Sequence, residues 1–298
     1  MRRRFVTLDV FTEKRFSGNP LAVVLEADGL SGEAMQSIAR EFNHPETVFV
    51  LPAEEKKHRA RLRIFTPGAE LPFAGHPTVG TAVLLNRIDG GRAADIVLEE
   101  KIGLVACRVG ATGANSGQAT FVIPQLPAET GTVASAAEIA AALSIDAADV
   151  GFDGYTPQRW SAGNAISFVP VRGLDAIGRA KPDTARFEPT FGREGRAIAY
   201  LYCAETAERG HDFHARMFAP KLGVAEDPAT GSAAAAFPGV LVKRGRFGDG
   251  EHKVVIEQGY EMGRPSQMQL AFSIEKGALT RASVGGSAVV VTEGVIEA

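Results

Sequence analysis

The stretch EDPATGSAAAA, at residues 226–236, places an Asp-Pro turn and a Gly-Ser step directly before an alanine-rich segment. A similar stretch, GHPTVGTAVLL, occurs at residues 75–85, and both follow the pattern [His/Asp]-Pro-x-x-Gly-[Thr/Ser]-Ala. Upstream, RIFTP at 63–67 is matched by RMFAP at 216–220, each typical of a short strand that ends at proline. These paired segments predict that the second half of the chain repeats the first.

The repeat predicts two lobes in a chain of 298 residues, a length at which a single core commonly gives way to two. Strand-like runs dominate both halves, and each half has one helix that begins at the repeated motif. We therefore expect an α+β fold of two pseudo-symmetric lobes, each a mostly antiparallel sheet around a central helix, with the active site in the cleft between them. The N-terminal lobe is predicted at 1–117, which the C-terminal strand 285–298 could complete. The C-terminal lobe is predicted at 118–284, after a Gly/Ser/Asn-rich stretch at 110–118.

Composition narrows the class of function. Lys and Arg total 32 against 35 for Asp and Glu, and no run of five basic residues occurs, so no nucleic-acid partner is expected. The basic start lacks the apolar core of a secretion signal, and no uncharged apolar run approaches the ~18 residues of a membrane span. We expect a cytoplasmic protein without a membrane partner. Cys107 and Cys203 lie in strand-like runs typical of buried, inert thiols. No metal site is predicted, because the residues His211, His214 and His252 lack metal-ligand spacing.

The motif itself suggests an anion site. A proline followed by Gly-Thr-Ala or Gly-Ser-Ala is expected to begin a helix near Gly80 and near Gly231, where free backbone N–H groups favour a carboxylate or phosphate. Two related copies facing one cleft could hold one small anion and would place His76 opposite Asp227. The alternative is a capped helix packed on a sheet, with Asp227 as N-cap before a proline at the first helical position. Pro238 is expected to kink or shorten the second helix.

Four ordered motifs carry a resemblance to a known family. The segments SGNPLAVV, REFNHPETVFV, FTPGAELPFAGHPTVGTA and EDPATGSAAAA resemble those of the PhzF family of phenazine-biosynthesis-type proteins, over nearly the whole chain. That resemblance implies the diaminopimelate epimerase fold, with two similar lobes around a cleft. It also implies a homodimer and a cofactor-free isomerase that moves a proton on a small cyclic carboxylic acid, the founding members acting on dihydro-hydroxyanthranilate.

The resemblance also implies roles for particular residues. Glu46, in PETVFV, would be the catalytic carboxylate, with His76 and Asp227 as catalytic partners. Substrate would be bound by Ser232, by backbone donors at two glycines, and by an amide in the SGNP motif, that is by Ser232, Gly75, Gly231 and Asn19. Related epimerases use two cysteines, whereas both cysteines of this chain lie outside the motifs.

These residues suggest general acid/base catalysis. Glu46 would remove a proton from one carbon of the substrate and return it to another, which requires its pKa to be raised towards neutrality by enclosure. Helix starts would bind the substrate carboxylate, and closure of the lobes would exclude water. Two alternatives remain open: an epimerase or racemase in which Glu46 works with His76 or Asp227 as a second base, and a metabolite- or protein-binding module without catalysis.

Overall fold

The computed structural model describes residues 2–298, which form two compact units. Unit 1 consists of Met1–Pro124 and Ser283–Ala298, and unit 2 of Gln125–Ala282. The strands are β1 Arg2–Val10, β2 Asn19–Val24, β3 Glu46–Leu51, β4 Ala60–Phe65, β5 Glu70–Leu71, β6 Ala94–Glu100, β7 Gly103–Ala111, β8 Ser116–Val122, β9 Ala128–Glu129, β10 Gln158–Ser161, β11 Ala165–Pro170, β12 Ala199–Cys203, β13 Phe213–Ala219, β14 Val224–Asp227, β15 Gly250–Gln258, β16 Ser266–Glu275 and β17 Ala278–Glu297. The helices are α1 Gly32–Phe42, α2 Gly75–Ile88, α3 Ala136–Leu143, α4 Leu174–Arg179, α5 Phe187–Phe191 and α6 Gly231–Arg244. The predicted α+β class is confirmed.

Unit 1 is a closed barrel around helix α2. Its strands pair in the ring β1, β2, β3, β4, β6, β7, β8 and β17, and β17 returns to β1. The pairs β2–β3 and β4–β6 are parallel, and the others in the ring are antiparallel. Helix α2 is buried from Gly75 to Asn86 and contacts β1, β2, β3, β7 and β8. Apart from His76 and Asn86, its buried residues are apolar or small, as a helix enclosed by a barrel requires.

Unit 2 is built from strands β9 to β16, of which β14 pairs antiparallel with β13. Strands β11 and β12 pair parallel, as do β13 and β15, whereas the pairs β9–β10, β10–β11, β12–β13 and β15–β16 are antiparallel. Helix α6 contacts β9, β10, β11 and β16, and its alanine run Ala233–Ala236 is fully buried. A separate apolar cluster joins α3, α4 and α5 to β12. Small side chains on α6 therefore allow the helix to lie close to the strands.

Local sequence signals predicted helix α1 correctly. Ser31 is its N-cap, and the Ser31 hydroxyl accepts a hydrogen bond from the N–H of Ala34 at 3.1 Å. Asn43 ends the helix in the left-handed conformation, with φ of 51°. Met35, Ile38 and Ala39 form the buried face. Capping residues and apolar periodicity agree here, so the sequence alone was sufficient to predict this helix.

The same polar contacts occur in both units, at positions 153 to 156 residues apart in the chain. Arg63 binds Glu70 through two hydrogen bonds of 2.8 and 3.0 Å, and its guanidinium lies over the Phe65 ring. Arg216 likewise binds Glu226 at 2.8 and 2.9 Å and lies over the ring of Phe218. The sequence repeat around RIFTP and RMFAP therefore corresponds to a repeat of contacts.

Three expectations about the motif helices differ from the structure. Helix α2 begins at Gly75 rather than after Pro77, so Gly80 lies in its second turn, where backbone N–H groups bond within the helix. Asp227 is not the N-cap of α6, because Thr230 occupies that position and the helix begins at Gly231. Pro238 does not shorten α6, which continues to Arg244. Burial of nearly the whole helix outweighs the local cost of one missing backbone hydrogen bond.

Candidate active site

Glu46 and His76 are brought together by a strand and a helix of unit 1. Glu46 is the first residue of β3, directly after Pro45, and pairs in parallel register with Leu21 of β2. His76 is the second residue of α2. Nε2 of His76 lies 3.3 Å from Oε2 of Glu46, and both side chains are largely buried. A carboxylate and an imidazole that are distant in sequence thus form one pair.

The ring of His76 is uncharged at neutral pH. Burial is the main cause that lowers its pKa to about 3, and the nearby His44 lowers it further. A ring N–H of His76 donates a hydrogen bond to the backbone carbonyl of Pro20, which only partly opposes the shift. Nε2 is buried and its contact with Glu46 lacks the alignment of a hydrogen bond. Because the neutral ring already donates its N–H to Pro20, Nε2 can only accept, and a hydrogen bond across this contact would need a proton on Glu46.

Asn19 and Gly75 are sequence neighbours of Pro20 and His76, the two residues joined by the hydrogen bond of the imidazole. Asn19 is fully buried at the first position of β2 and immediately precedes Pro20, the residue that accepts from His76. Gly75 is the first residue of α2, where a backbone N–H has no partner within the helix. Unit 1 thus contains four of the predicted site residues: Asn19, Glu46, Gly75 and His76.

Unit 2 contains the other three, around the start of α6. Asp227 ends β14, is buried, and its Oδ2 accepts from the hydroxyl of Thr230 at 2.7 Å. Gly231 and Ser232 are the first two residues of α6. Tyr200 is fully buried, and burial followed by the charge of Asp227 raises its pKa well above the usual range. Asp227 therefore lies in a polar cluster that the unit holds inside its core.

The structure changes the register of the repeat around the site. Gly75 and Gly231 are both first residues of a motif helix, so the counterpart of His76 by helix position is Ser232. The sequence pattern had instead matched His76 with Asp227, which lies at the end of a strand. The alignment of the two Pro-x-x-Gly patterns therefore differs by five residues from the alignment of the two helix starts.

Sequence reasoning missed Thr230 and Gln258, which hold the start of α6. Gln258 ends β15, is fully buried, and contacts both Asp227 and Thr230. One signal was present: the strand ends VLEE at 97–100 and VIEQ at 255–258 are a third pair of similar segments. The expectation for the cysteines is confirmed, since Cys107 and Cys203 are buried and burial raises the pKa of both thiols.

Comparison with known proteins identifies the family. The sequence profile of the phenazine biosynthesis-like proteins (PhzC-PhzF) matches residues 8–294. The chain belongs to this family. It is 45% identical to an uncharacterized isomerase of Mesorhizobium japonicum and 35% identical to the trans-2,3-dihydro-3-hydroxyanthranilate isomerase of Pseudomonas aeruginosa, each over 98% of both chains. A crystal structure of a Bacillus anthracis PhzF-family phenazine biosynthesis protein superposes with a TM-score of 0.88 at 28% identity, covering 100% of both chains.

These similarities establish the protein as an isomerase of the phenazine biosynthesis-like family. The similarity to the Bacillus anthracis structure extends over both units, so the α+β fold is that of PhzF-family proteins. Within residues 2–298, no helix is long and apolar enough to cross a membrane.

Proposed function

We propose that the protein is a cofactor-independent isomerase that moves a proton between two carbons of a small cyclic or amino carboxylic acid, with Glu46 as the proton carrier. The observation that carries this proposal is the buried contact of 3.3 Å between Glu46 Oε2 and His76 Nε2. The relative of 35% identity, a trans-2,3-dihydro-3-hydroxyanthranilate isomerase, makes a cyclic amino acid of that kind the first substrate to test.

The chemistry needs only a carboxylate and a conjugated substrate. As carboxylate, Glu46 takes a proton from a carbon next to a C=C bond, and the electron pair moves into the conjugated system. As carboxylic acid, it returns that proton to another carbon, so the double bond shifts without any change in oxidation state. Neutral His76 can accept a hydrogen bond from the protonated form of Glu46 and so steady the proton between the two steps.

Binding of the substrate carboxylate is assigned to the helix starts. The N–H groups of Gly75 and Gly231 are at the first positions of α2 and α6, where unpaired N–H groups and the helix dipole favour an anion. The hydroxyl of Ser232 and the amide of Asn19 would add hydrogen bonds. Asp227 would face the amino or hydroxyl group of the same substrate, which requires that both units contribute to one site.

Turnover in D₂O tests the proposal. Purified protein is incubated with trans-2,3-dihydro-3-hydroxyanthranilate, and the product is followed by ultraviolet absorbance and NMR. A shifted double bond, with part of the original hydrogen retained in the product, is the expected result, because one carboxyl group removes and returns the same proton. Full deuterium at an inverted carbon would instead indicate a two-base epimerase. Ligand-induced thermal stabilisation without conversion, across a panel of cyclic and amino acids, would indicate a binding module.

A further inference from the structure

The similar segments VLEE, at 97–100, and VIEQ, at 255–258, place Glu100 and Gln258 at equivalent strand ends. In each unit, the preceding glutamate binds a histidine and two successive backbone N–H groups. Glu99 binds His58 Nδ1 at 2.7 Å, and Glu257 binds His211 Nδ1 at 2.5 Å and, in addition, His214 Nδ1 at 2.7 Å. The two backbone donors are Glu54 and Glu55 in unit 1, and Ala207 and Glu208 in unit 2.

Successive side chains of a strand point to opposite faces of the sheet, so the residue after Glu99 or Glu257 lies on the other face of the sheet from that glutamate. In unit 2 this residue is Gln258, and its amide is fully used. Its Oε1 accepts from the N–H of Thr230 at 3.2 Å, while Nε2 donates to the carbonyl of Asp227 at 2.7 Å and to Thr230 Oγ1 at 3.0 Å. The Thr230 hydroxyl is thereby directed to donate to Asp227 Oδ2 at 2.7 Å. Gln258 thus holds both the backbone and, through Thr230, the carboxylate of Asp227.

In unit 1 the equivalent residue is Glu100, which binds Thr78 in the first turn of α2. Thr78 Oγ1 lies 2.8 Å from the carbonyl of Ala74 and 2.7 Å from Glu100 Oε1. The hydroxyl has one hydrogen and the carbonyl can only accept, so Thr78 donates to Ala74. The second bond then needs a proton on Glu100, which donates it to Thr78. Burial raises the pKa of Glu100 to about 8, although the hydrogen bond with Thr78 acts in the opposite direction, so burial is what favours a proton on Glu100.

We propose that Glu100 and Gln258 are equivalent positioning residues, each an uncharged hydrogen-bond donor that fixes the start of a motif helix. Glu100 would thereby set the position of His76, two residues from Thr78, and Gln258 that of Asp227. The inference rests on the proposed function for its effect on catalysis. Its geometric part, the placement of His76 and Asp227, stands separately from the identity of the substrate.

The close packing below Asp227 supports this role. A Cβ built on Gly259, the residue after Gln258, would lie 2.6 Å from the carbonyl oxygen of Pro228, and Gly259 has φ of +82°. The end of β15 is therefore pressed against the Asp-Pro turn. Removing the Gln258 amide would leave buried donors and acceptors of this turn unpaired, so the turn would have to move to recover hydrogen bonds.

Gln258→Ala is the test in unit 2, with Glu257→Gln as the matched control from the same buried strand end. In assays with a substrate that the wild-type protein converts, Gln258→Ala should lower kcat by ~10²-fold and change KM less. This is the effect expected when a reacting group, here the carboxylate of Asp227, is displaced. Glu257→Gln should lower Tm but leave kcat within about threefold, because its partners lie on the other face. Crystal structures of both variants should show Asp227 displaced only in Gln258→Ala.

Glu100→Ala and Glu100→Gln are the test in unit 1. Glutamine supplies an N–H to Thr78 without a titrating proton, so Glu100→Gln should restore the kcat that Glu100→Ala loses. ¹⁵N NMR of the imidazole should show a shift of His76 in the alanine variant and a wild-type signal in the glutamine variant. Glu99→Gln is the matched control and should leave the His76 signal unchanged.

The outcomes separate this inference from the proposed function. If Gln258→Ala leaves Asp227 in place and Glu100→Ala leaves the His76 signal unchanged, the positioning role is wrong, whatever the activity. If wild-type protein converts no substrate while both structural readouts change as expected, the positioning role stands and the proposed reaction is wrong. If Glu257→Gln and Glu99→Gln lose as much kcat as Gln258→Ala and Glu100→Ala, then Glu100 and Gln258 only stabilise the fold. That result would overturn the proposal.

Discussion

At the scale of single residues, the carboxyl group of Glu46 is the most direct test of the chemistry. Glu46→Gln keeps nearly the same volume and hydrogen-bonding reach but cannot exchange a proton at working pH. Turnover is expected to fall by ~10²–10⁴-fold, the usual effect of losing a general base, while substrate binding is retained. Steady-state kinetics and calorimetric titration of the variant measure the two effects separately.

Ser232→Ala is the control for this experiment, because a hydroxyl at the start of α6 would align the substrate without carrying a proton. Its loss of turnover should be smaller than that of Glu46→Gln. Near-normal turnover of Glu46→Gln, combined with inactive His76→Ala or Asp227→Asn, would contradict the assignment. Glu46 would then be a structural carboxylate at the start of β3.

The buried acid Glu100 makes a separate prediction about pH and stability. Its pKa in the folded protein is raised to about 8 from 4.5, chiefly by burial, so the folded state keeps a proton that the unfolded chain loses. The stability that this proton contributes is complete below pH ~4.5 and is lost as pH rises to about 8. Glu100→Gln should therefore gain stability relative to wild type over that interval.

Urea unfolding between pH 5 and pH 9 measures this difference. The Cys107 thiol on β7 is a titratable group that interacts with Glu100, and burial keeps its pKa far above this range, so it should not contribute. Glu99→Gln is the control, since the pKa of Glu99 is lowered to about 2 by its backbone hydrogen bonds. A constant difference between Glu100→Gln and wild type across the range would show that Glu100 is ionised in the fold.

Family resemblance and the sequence repeat explain why part of the site was predicted, and ordinary residue types explain why the rest was missed. Glu46 was assigned through the family resemblance of PETVFV, and His76 through the resemblance and the repeated motif; the structure places their side chains 3.3 Å apart. Thr230 and Gln258 are common polar residues, and only tertiary structure shows that they are buried. Whether a glutamine lies on a surface or closes a hydrogen-bond network depends on strand register, which one sequence does not specify.

At the scale of elements, the fit of α2 inside its barrel depends on a glycine. A Cβ at Gly80 would lie 2.6 Å from Leu21 Cδ2 and 2.7 Å from Val10 Cγ2. Gly80→Ala should therefore destabilise the protein by about 1–3 kcal/mol through overpacking, despite the better helix propensity of alanine. Denaturant unfolding at fixed pH measures this change.

Gly178 is the matched control in another helix. It is exposed on α4, and a Cβ there would meet no atom within 4 Å, so Gly178→Ala should be neutral or stabilising by up to ~1 kcal/mol. If both alanine variants are equally stable, β1 and β2 can move aside and the close approach of α2 is not a constraint.

Helix boundaries show the limit of local signals at this scale. The caps of α1 were sufficient to predict it, whereas Pro77 suggested a start for α2, at Thr78, that is three residues too late. Proline is tolerated throughout the first turn, where its missing N–H has no helical partner to lose. The short elements β5, β9 and α5 were not predicted, because two to five residues are too few to show a period and their pairing is set by the rest of the fold.

At the scale of the whole molecule, the sequence repeat indicated the duplicated contacts correctly and the local register incorrectly. Arg63 and Arg216 make equivalent ion pairs, as the repeated RIFTP and RMFAP segments imply. The match of His76 with Asp227 failed because the connection from strand to helix differs in length between the two copies. The arrangement of two lobes around one cleft, and the homodimer, stay predictions, the latter open to sedimentation analysis.

A single ligand should be sensed by both units if the proposed site is correct. We expect 3-hydroxyanthranilate, the aromatic analogue of the relative's substrate, to shift the backbone N–H signals of Gly75, Gly231 and Ser232 in ¹⁵N NMR titrations. The reason is that a carboxylate accepts hydrogen bonds from unpaired N–H groups at helix starts. Because one molecule would contact both units, the three signals should saturate with the same Kd.

The start of α1 is the matched control for this titration, since Gly32 also begins a helix but carries none of the site motifs. Its signal should stay constant, which would exclude general anion binding at helix starts. Shifts confined to Gly75, or a Kd for Gly231 that differs severalfold from that of Gly75, would mean that the units bind the anion independently. The residues that carry the proton and bind the substrate carboxylate would then have to be sought within unit 1 alone, where Glu46 and His76 already form a pair.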